Sequence, residues 1–354
     1  MAEEYRIDSH KLIYHPRRVA DWLEGQKIYP LSVEISPSSA CNHRCLFCSF
    51  DYLDYRPIFL DYNLIITNLK EMAEKGLKSV VLAGQGEPLL NPQTPNLIEE
   101  IRSFNLDIGM STNGVLFKKE FSQRCLGLLK WVRFSLNAGS SETHQLIHKG
   151  KPNDFDIVLN NIADAVKEKR RKNLGTTIGV QLLLIPENAD EVLTLAAKLK
   201  DIGVDYFTVK PYYQHPSSIN VREKSFDEKW CRELQDKLQA LADGSYQVYF
   251  RMHTMTKLLR QKPYNVCRAL PFWTCIDAEA NVWSCLSHIG NNDYLYGNLK
   301  EKSFSAIWES EQREKVLQRI ASLGVDHCQE ACRLDEMNIY LHEICNLSSH
   351  VNFI

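Results

Sequence analysis

The sequence of 354 residues contains no long hydrophobic run and no large excess of either charge. No stretch of 18 or more apolar residues occurs, so no segment is predicted to span a membrane. The first 19 residues lack the apolar core of a secretory signal peptide. The net charge of −2 and the pI near 6.6 provide no basic excess for nucleic acid. We therefore expect a cytoplasmic protein with neither a membrane nor a nucleic-acid partner.

Cysteine, in contrast, is plentiful, with eleven residues in the chain. In a reducing compartment these are expected to be metal ligands or free thiols rather than disulfides. Cys41, Cys45 and Cys48 lie within eight residues, in the segment CNHRCLFC. Because Fe–S clusters usually take four thiolates, three cysteines on a 4Fe-4S cluster would leave one iron open to a cofactor or substrate. A zinc site completed by His43 is the alternative.

The spacing C-x3-C-x-aromatic-C, with Phe47 before the last cysteine, resembles the signature of the radical S-adenosylmethionine (radical SAM) superfamily. The resemblance implies that Cys41, Cys45 and Cys48 hold a 4Fe-4S cluster whose open iron is chelated by the amine and carboxylate of SAM. An electron from the cluster then cleaves the sulfonium and yields a 5'-deoxyadenosyl radical. A flavodoxin or ferredoxin is the expected electron donor.

Short segments rich in β-branched and aromatic residues alternate with helical patterns along the first two thirds of the chain. The predicted strands are 31–36, 78–83, 106–111, 131–136, 177–184 and 205–210. The clearest helix is 189–202, with a capping-box spacing at Asn188 and Glu191 and a stop at Gly203. Such alternation predicts an α/β fold with a parallel sheet. Six units suit a partial (β/α)6 TIM-like barrel, which the resemblance also implies.

In α/β folds ligands bind at the carboxyl ends of the strands. The segment Gly84-Gln85-Gly86-Glu87-Pro88 follows the second predicted strand. Its glycines allow close approach of the backbone, and Glu87 can accept a hydrogen bond from a cation. The segment resembles the GGEP motif of the family, which cradles the amino group of SAM, so Gly84, Gly86 and Glu87 are predicted cofactor-binding residues.

Polar residues also follow the third and fourth predicted strands. In the family, residues at these places bind the ribose hydroxyls and the methionine carboxylate, which implies this role for Ser111, Asn113 and Ser135. Asn137 stands where many relatives carry Asp. Lys149 stands where an Arg often neutralises the cofactor carboxylate, and it would act there as a point charge. Ordinary loop capping is the alternative for each of these residues.

A second group of cysteines lies in the last third of the chain. The segment from Cys267 to Cys285 is predicted to be a hairpin, and Cys328-Gln-Glu-Ala-Cys332 follows it. Together they resemble the SPASM/twitch extension of radical SAM enzymes, with too few cysteines for the two auxiliary clusters of a full module. The resemblance implies one auxiliary 4Fe-4S cluster, with Cys267, Cys285, Cys328 and Cys332 as metal ligands. Cys275 is the rival of Cys267.

Three other cysteines have simpler interpretations. Cys345 is expected on the closing helix, whereas Cys125 and Cys231 lie in helical patterns typical of core residues. The chain is long for one domain. We expect an N-terminal extension at 1–30, a radical SAM partial barrel at 31–245 and a small α+β SPASM/twitch-like module at 246–354.

Polar and aromatic residues after the sixth predicted strand suit a substrate site at the barrel mouth, although they could equally contact the C-terminal module. Lys210, Tyr213 and His215 are the predicted catalytic residues, with Lys210 or His215 accepting a proton. Arg251 or His253 could bind an anionic group. Only 40 residues precede the first cysteine of the signature, too few for the peptide-binding domain of many peptide-modifying relatives, which favours a small-molecule substrate.

The sequence thus predicts a radical SAM oxidoreductase or epimerase. The 5'-deoxyadenosyl radical would abstract hydrogen from a small, sugar- or nucleoside-like substrate, and the auxiliary cluster would assist oxidation, epimerisation or decarboxylation. The alternatives are a maturase that modifies a peptide or protein, and a non-catalytic zinc protein.

Overall fold

The computed structural model describes residues 9–222, 226–258 and 260–353, so the start of the expected extension at 1–30 lies outside the described residues. Ten strands form one sheet: β1 Ser32–Ile35, β2 Ser79–Leu82, β3 Asp107–Thr112, β4 Trp131–Ser135, β5 Thr177–Leu184, β6 Tyr206–Pro211, β7 Gln247–Phe250, β8 Trp273–Ile276, β9 Asn281–Trp283 and β10 Leu295–Asn298. All six predicted strands are present.

The described residues form twelve α-helices, the first before β1 and the others between or after the strands: α1 Pro16–Leu23, α2 Tyr62–Glu74, α3 Thr94–Ser103, α4 Lys119–Cys125, α5 Ser141–His148, α6 Asp154–Lys172, α7 Val192–Ile202, α8 Glu228–Gln239, α9 Met252–Lys257, α10 Phe304–Trp308, α11 Glu311–Leu323 and α12 Asp335–Cys345. No helix in the described part of the chain is long and apolar enough to cross a membrane.

Strands β1 to β7 pair with their neighbours in chain order, and every pair is parallel. This confirms the α/β partial barrel and adds a seventh strand, which begins just after the expected domain boundary at residue 245. On the other side, β8 pairs parallel with β1, and β9 and β10 continue antiparallel. Within the described residues the sheet is open, with β7 and β10 at its edges. The domain boundaries themselves stay a prediction.

The sheet presents two chemically different faces because side chains alternate along each strand. One face is apolar and forms the core, with Val33, Ile35, Val80, Leu82, Ile108, Met110, Val132, Phe134, Val180 and Phe207 fully buried. The other face carries polar residues within the strands, namely Glu34, Ser111, Arg133, Gln181 and Lys210. TIM barrels usually fill their interior with bulky branched side chains. Here the polar inner face lines a cavity instead.

The predicted helix at 189–202 begins later than expected. A short 3-10 helix, Pro186–Glu191, precedes α7, and Gly203 ends α7 in the left-handed conformation, with a φ of +88°. The predicted capping box does not form.

The two residues of that predicted capping box contact the loop after β4 instead. The Asn188 amide donates to the Asn137 carbonyl at 2.9 Å. The Glu191 carboxylate accepts from the Gly139 N–H at 2.7 Å and from the Ser140 hydroxyl at 2.6 Å. Since buried backbone groups of a loop need partners, these tertiary contacts replace the local cap.

The predicted C-terminal hairpin is confirmed as β8 and β9, and Asp277 organises its turn. The buried Asp277 carboxylate accepts from the backbone N–H groups of Glu279 and Asn281, both at 2.9 Å, and from the Trp283 indole N–H at 2.7 Å. Asp277→Ala leaves these donors unpaired, so we expect the free energy of unfolding to fall by about 3 kcal/mol, measured by urea unfolding.

Glu279→Ala is the matched control in the same turn. It removes a carboxylate that is 42% exposed and pairs with Arg56 at 3.4 Å, so it should cost less than about 1 kcal/mol. Equal losses for the two variants would contradict the role of Asp277.

Candidate functional site

The loop that carries Cys41, Cys45 and Cys48 follows β1 and packs against the end of α5. The Arg44 N–H donates to the His148 carbonyl and the Leu46 N–H to the Ile147 carbonyl, both at 2.9 Å. Backbone hydrogen bonds therefore hold the loop on both sides of Cys45. All three thiols face one cavity of about 320 Å³ at the carboxyl ends of the strands.

The Gly84–Glu87 segment packs directly against the start of the cysteine loop. A Cβ on Gly86 would come within 2.2 Å of the Ala40 carbonyl oxygen and 2.5 Å of the Ser38 carbonyl oxygen. Gly84 has a φ of +97°, which favours glycine, and its Cα faces the Ser36 side chain. The glycines are thus needed for the contact between two loops, which brings the segment to the cavity.

Glu87 connects this segment to the end of β3. Its buried carboxylate accepts from the Thr112 hydroxyl and the Asn113 N–H, both at 2.7 Å. Burial raises the pKa of Glu87, and these hydrogen bonds oppose the rise. The carboxylate therefore fixes the positions of the loops after β2 and β3 around the cavity.

Most predicted cofactor residues meet in this cavity. Its lining includes Gly84, Gly86, Glu87, Ser111, Asn113 and Ser135, together with Asn137 and Gln181. Lys149 lies outside it. That lysine is exposed and ends α5 with a φ of +49°, so its side chain does not join the other predicted residues.

A cluster of three buried histidines lies behind the cysteine loop. The His144 ring stacks on the His148 ring with centroids 4.3 Å apart, and both rings contact His43. His43 Nε2 lies 3.1 Å from the Asp154 carboxylate. Metal-ligand atoms of His43, Cys45 and His148 lie within 4.8 Å of one another, but His43 and His148 are already hydrogen-bonded to Asp154 and Asn137. The zinc alternative would have to replace those hydrogen bonds.

His148 is oriented to donate a hydrogen bond to Cys45. The Asn137 backbone N–H donates to His148 Nε2 at 3.3 Å, so in the neutral ring the proton is on Nδ1. Nδ1 lies 3.2 Å from Cys45 Sγ. Burial keeps the pKa of His148 well below its ordinary value, so the ring stays neutral. Sequence analysis did not predict this contact.

The neighbouring His144 makes stability depend on pH. Burial, and next the nearby His43, lower its pKa to about 4, whereas in the unfolded chain it titrates near 6.5. As pH falls from 7 to 5 the unfolded state binds more protons than the folded state, so stability is lost. We expect His144→Leu to reduce that loss by about 2 kcal/mol in urea unfolding of the metal-free protein at the two pH values.

The prediction is tested by the change in the free energy of unfolding between pH 7 and pH 5, because the substitution also alters packing equally at both pH values. An equal pH dependence in the variant and the natural protein would contradict it.

The thiols of the loop are suited to bind a metal, because a thiolate without a positive partner is unfavourable at this position. Burial raises the pKa of Cys41 to about 11 and raises the pKa of Cys45 and Cys48. Deprotonated thiolates at this depth therefore need a positive partner, and a metal cluster supplies one. Three thiols that face one cavity, with hydrogen-bond donors beside Cys41 and Cys45, fit a 4Fe-4S cluster held by three cysteines.

The second set of cysteines also comes together. Burial raises the pKa of Cys285 to about 12, and the neighbouring thiols of Cys267 and Cys328 contribute to that rise. Cys332 is similarly affected by the other three thiols. This proximity fits a cluster with four thiolate ligands.

The remaining cysteines lie apart from that set or inside the core. Cys275 is buried in β8, and its thiol faces the Trp283 carbonyl at 3.8 Å, although it lies near enough to Cys285 to stay a rival ligand. Cys345 is exposed at the end of α12, and Cys125 and Cys231 are buried as expected. All eleven cysteines are free thiols.

Sequence analysis missed Asn338, which supports Cys267. Its amide nitrogen donates to Cys267 Sγ at 3.4 Å, and its oxygen accepts from the Arg268 N–H at 2.7 Å. Asn338 lies on α12, far along the chain from Cys267, so no local pattern indicates this contact.

The three predicted catalytic residues line a cavity of about 280 Å³ between the two sets of cysteines. Burial lowers the pKa of Lys210, and its ammonium donates to the Tyr213 hydroxyl at 2.7 Å. The His215 Nδ1 accepts from the Ser217 N–H at 3.1 Å, while Nε2 has no partner in the described residues. A neutral His215 therefore carries its proton on Nε2 and presents a donor to the cavity.

Charged residues complete the lining of this cavity, and the prediction missed three of them: Glu34 in β1, Arg133 in β4 and Arg333 in the turn before α12. Glu34 pairs with Arg333. For Glu34 and Arg133 the available signal was a charged residue inside an otherwise apolar strand, which is uncommon unless the residue faces a cavity or a partner. Arg251 lines the cavity as expected, whereas His253 is bonded to Glu336 at 2.8 Å.

Comparison with known proteins agrees with this geometry. A family model described as the radical SAM superfamily matches residues 35–199, and a SPASM model described as an iron-sulfur cluster-binding domain matches residues 267–334. The chain is 26% identical over 302 residues to a tungsten-containing aldehyde ferredoxin oxidoreductase cofactor-modifying protein of Pyrococcus furiosus, covering 78% of this chain and 80% of the relative.

Two further similarities extend the comparison. A GTP 3',8-cyclase of Aquifex aeolicus is 31% identical over 187 residues, covering 49% of this chain and 55% of the cyclase. Among solved structures, Streptococcus suis SuiB bound to the precursor peptide SuiA has a TM-score of 0.66 at 18% identity, covering 85% of this chain and 70% of SuiB. The likeness to SuiB shows the shared fold.

Proposed function

Because the chain belongs to the radical SAM superfamily and carries a C-terminal SPASM domain, we propose that it removes a hydrogen atom from a carbon of a small, sugar- or nucleoside-like metabolite. Oxidation, epimerisation or decarboxylation of that carbon follows. The observation that carries the proposal is the polar cavity of about 280 Å³ enclosed between the two sets of cysteines. A substrate there lies beside the SAM site and beside the second set of thiols.

SAM and 4Fe-4S clusters are the cofactors of this enzyme. When bound, they supply the 5'-deoxyadenosyl radical and a path for one further electron. In the proposal Cys41, Cys45 and Cys48 hold the SAM-binding cluster. Cys267, Cys285, Cys328 and Cys332 hold one auxiliary cluster, and a flavodoxin or ferredoxin delivers the electron.

The chain's polar side chains orient the cofactor and substrate in this proposal. Ser111, Asn113 and Ser135 offer hydrogen-bonding groups to SAM at the ends of β3 and β4. Glu87 fixes the loops that carry them, because its carboxylate is already bonded to Thr112 and Asn113.

Lys210 and His215 act on the substrate in different ways. Burial lowers the pKa of Lys210, so its ammonium gives up a proton more readily than that of an exposed lysine, and the resulting amine can accept a proton from the substrate. Tyr213 holds its ammonium in place. His215, whose Nε2 carries the proton, donates a hydrogen bond to a substrate oxygen rather than accepting a proton.

The test is an anaerobic assay of iron-reconstituted protein with SAM and dithionite. Nucleosides, nucleotides, nucleotide sugars and short peptides are added in turn, and 5'-deoxyadenosine is measured. We expect a sugar- or nucleotide-like compound to stimulate its formation and to transfer deuterium from one labelled carbon into it. Zinc-containing, colourless protein that forms no 5'-deoxyadenosine would contradict the proposal.

A peptide-modifying activity is the second candidate, since the same fold holds a precursor peptide in the matched SuiB structure. The limited volume of the cavity between the cysteine sets, about 280 Å³, favours the small molecule. The names of two relatives, the GTP cyclase and the cofactor-modifying protein, also refer to compounds that are not peptides. Deuterium transfer from a labelled peptide in the same assay would favour the second candidate.

His148 is expected to adjust the reduction potential of the SAM-binding cluster through its hydrogen bond to Cys45. A donor at a cluster sulfur stabilises the more negative, reduced state. We expect His148→Phe to lower the midpoint potential by roughly 60 mV, the equivalent of a tenfold change for one electron. Spectroscopic redox titration measures it.

His144→Leu is the matched control, because it changes the stacked neighbour without removing a hydrogen bond to Cys45. An unchanged potential in His148→Phe would contradict the proposed hydrogen bond.

A further inference from the structure

A second, larger cavity adjoins the proposed substrate cavity within the barrel. It measures about 560 Å³. Trp131, Thr177 and Tyr206, the first residues of β4, β5 and β6, line it, so it lies at the amino ends of the strands. The two cavities share Arg133, Lys210 and Arg333 in their linings. We call these two adjoining cavities the basic chamber, whose larger part lies away from the SAM site.

The lining of this larger cavity is strongly basic. Seven cationic side chains face it, whereas Glu336 is its one carboxylate. Glu336 and Asp335 lie 2.6 Å and 3.2 Å from the Lys257 ammonium, and Glu34 pairs with Arg333. These carboxylates account for two of the seven cations, so the lining keeps a net positive charge. Such an excess in a partly enclosed space attracts anions.

Arg133 lies where the two cavities meet and is itself short of partners. Its Nε has no hydrogen-bond partner in the described residues. Burial lowers its pKa, and the neighbouring cations Arg333 and Arg251 lower it further, while Tyr206 and Glu34 oppose the shift. Glu34 is engaged with Arg333. A half-buried guanidinium with a buried, unpartnered Nε among like charges favours an anionic partner, and its planar fork matches the oxygens of a phosphate.

We propose that this basic chamber binds the phosphate groups of the substrate, so that the enzyme acts on a phosphorylated small molecule carrying a diphosphate or longer chain. The proposal rests on the proposed function, because it assigns the substrate class of that site. A substrate with a single carboxylate instead of phosphates would bring only one negative charge to this positively charged lining.

The arrangement also orients the substrate. Trp131 and Ser135 lie at opposite ends of β4, about 13 Å apart at the rise of an extended strand. In the proposed orientation the phosphates of the substrate lie near Arg133, towards the amino ends of the strands. A sugar or nucleoside about 13 Å long then extends towards Ser111 and Gln181, beside the SAM cavity. The carbon that reacts therefore belongs to the part of the substrate away from the phosphates.

Isothermal titration calorimetry of the iron-reconstituted protein tests the proposal, with inorganic pyrophosphate as the probe. Succinate and an uncharged nucleoside are titrated in parallel. We expect pyrophosphate to bind, with an affinity that falls as salt is raised. Arg133→Gln should weaken its binding about tenfold or more, since a hydrogen-bonded charge is lost. Pyrophosphate binding no tighter than succinate binding would overturn the proposal.

Two further variants keep the test informative if Arg133→Gln folds poorly. Lys130→Gln alters an exposed residue at the cavity and should weaken pyrophosphate binding by about twofold to fivefold. Arg124→Gln alters an exposed arginine that pairs with Glu99 on the outer surface and should leave binding unchanged. Equal effects of the Lys130 and Arg124 variants would overturn the proposal.

Binding and turnover are measured separately, so the two proposals can fail independently. Protein that forms 5'-deoxyadenosine but does not bind pyrophosphate refutes only the phosphate site. Protein that binds pyrophosphate but forms no 5'-deoxyadenosine refutes the proposed function and not the anion site.

Discussion

Changing Cys41, Cys45 and Cys48 together to alanine is expected to reduce 5'-deoxyadenosine formation by at least about 100-fold, because even the partners of metal ligands contribute 10- to 100-fold. The three thiols line one cavity, and burial raises the pKa of each. Without a cluster at this position nothing supplies an electron to SAM. Iron content should fall from about eight to about four atoms per chain. Iron analysis and chromatography of the anaerobic reaction measure both quantities.

The matched control is a triple variant with Cys125, Cys231 and Cys345 changed to alanine. Two of these cysteines are in the core and one is exposed, so iron content and 5'-deoxyadenosine formation should stay near those of the natural protein. A loop variant that keeps about eight irons would show that the predicted ligands are wrong.

Changing Cys328 and Cys332 to alanine is expected to separate cleavage of SAM from formation of product. The four predicted ligands of the auxiliary cluster lie near one another, so loss of two should remove that cluster and leave about four irons. The Cys41 loop keeps its contacts with α5 and the Gly84–Glu87 segment, so 5'-deoxyadenosine should still form. Product formation should fall at least about tenfold, because the path for the second electron is removed.

Cys275→Ala decides between the two interpretations of the hairpin cysteines. If Cys267 is the ligand, the Cys275 variant retains about eight irons per chain, whereas Cys267→Ala loses about four. The reverse result would assign the ligand to Cys275, which lies in β8 near Cys285. Natural protein with only four irons would contradict the auxiliary cluster altogether.

The structure changes the predicted role of some site residues. Lys149 lies outside the cavity, because it ends α5 in the left-handed conformation. His215 presents a donor rather than an acceptor, since a backbone N–H already occupies its other nitrogen. Neither outcome is visible in the sequence, because a helix end and a ring orientation depend on contacts with residues that surround them in space.

The sequence by itself determined the spacing of the first three cysteines, the order of the six predicted strands, the hairpin and the glycine-rich segment. These are local features, because ligand spacing, strand alternation and turn residues act over a few neighbouring positions. Side-chain alternation also placed the apolar residues on one face of each strand. The radical SAM match at residues 35–199 includes the first three cysteines and the glycine-rich segment, and the SPASM match at residues 267–334 includes the hairpin.

Only the tertiary structure decided what meets in space. It placed the His148 ring beside Cys45, Asn338 beside Cys267, and Asn188 and Glu191 against the loop after β4. It also directed the charged strand residues inward, where they line one basic chamber. Such contacts join residues far apart in the chain, and their strength depends on burial and on the charges around them. No pattern along the sequence carries that information, because the low dielectric and the partners exist only after folding.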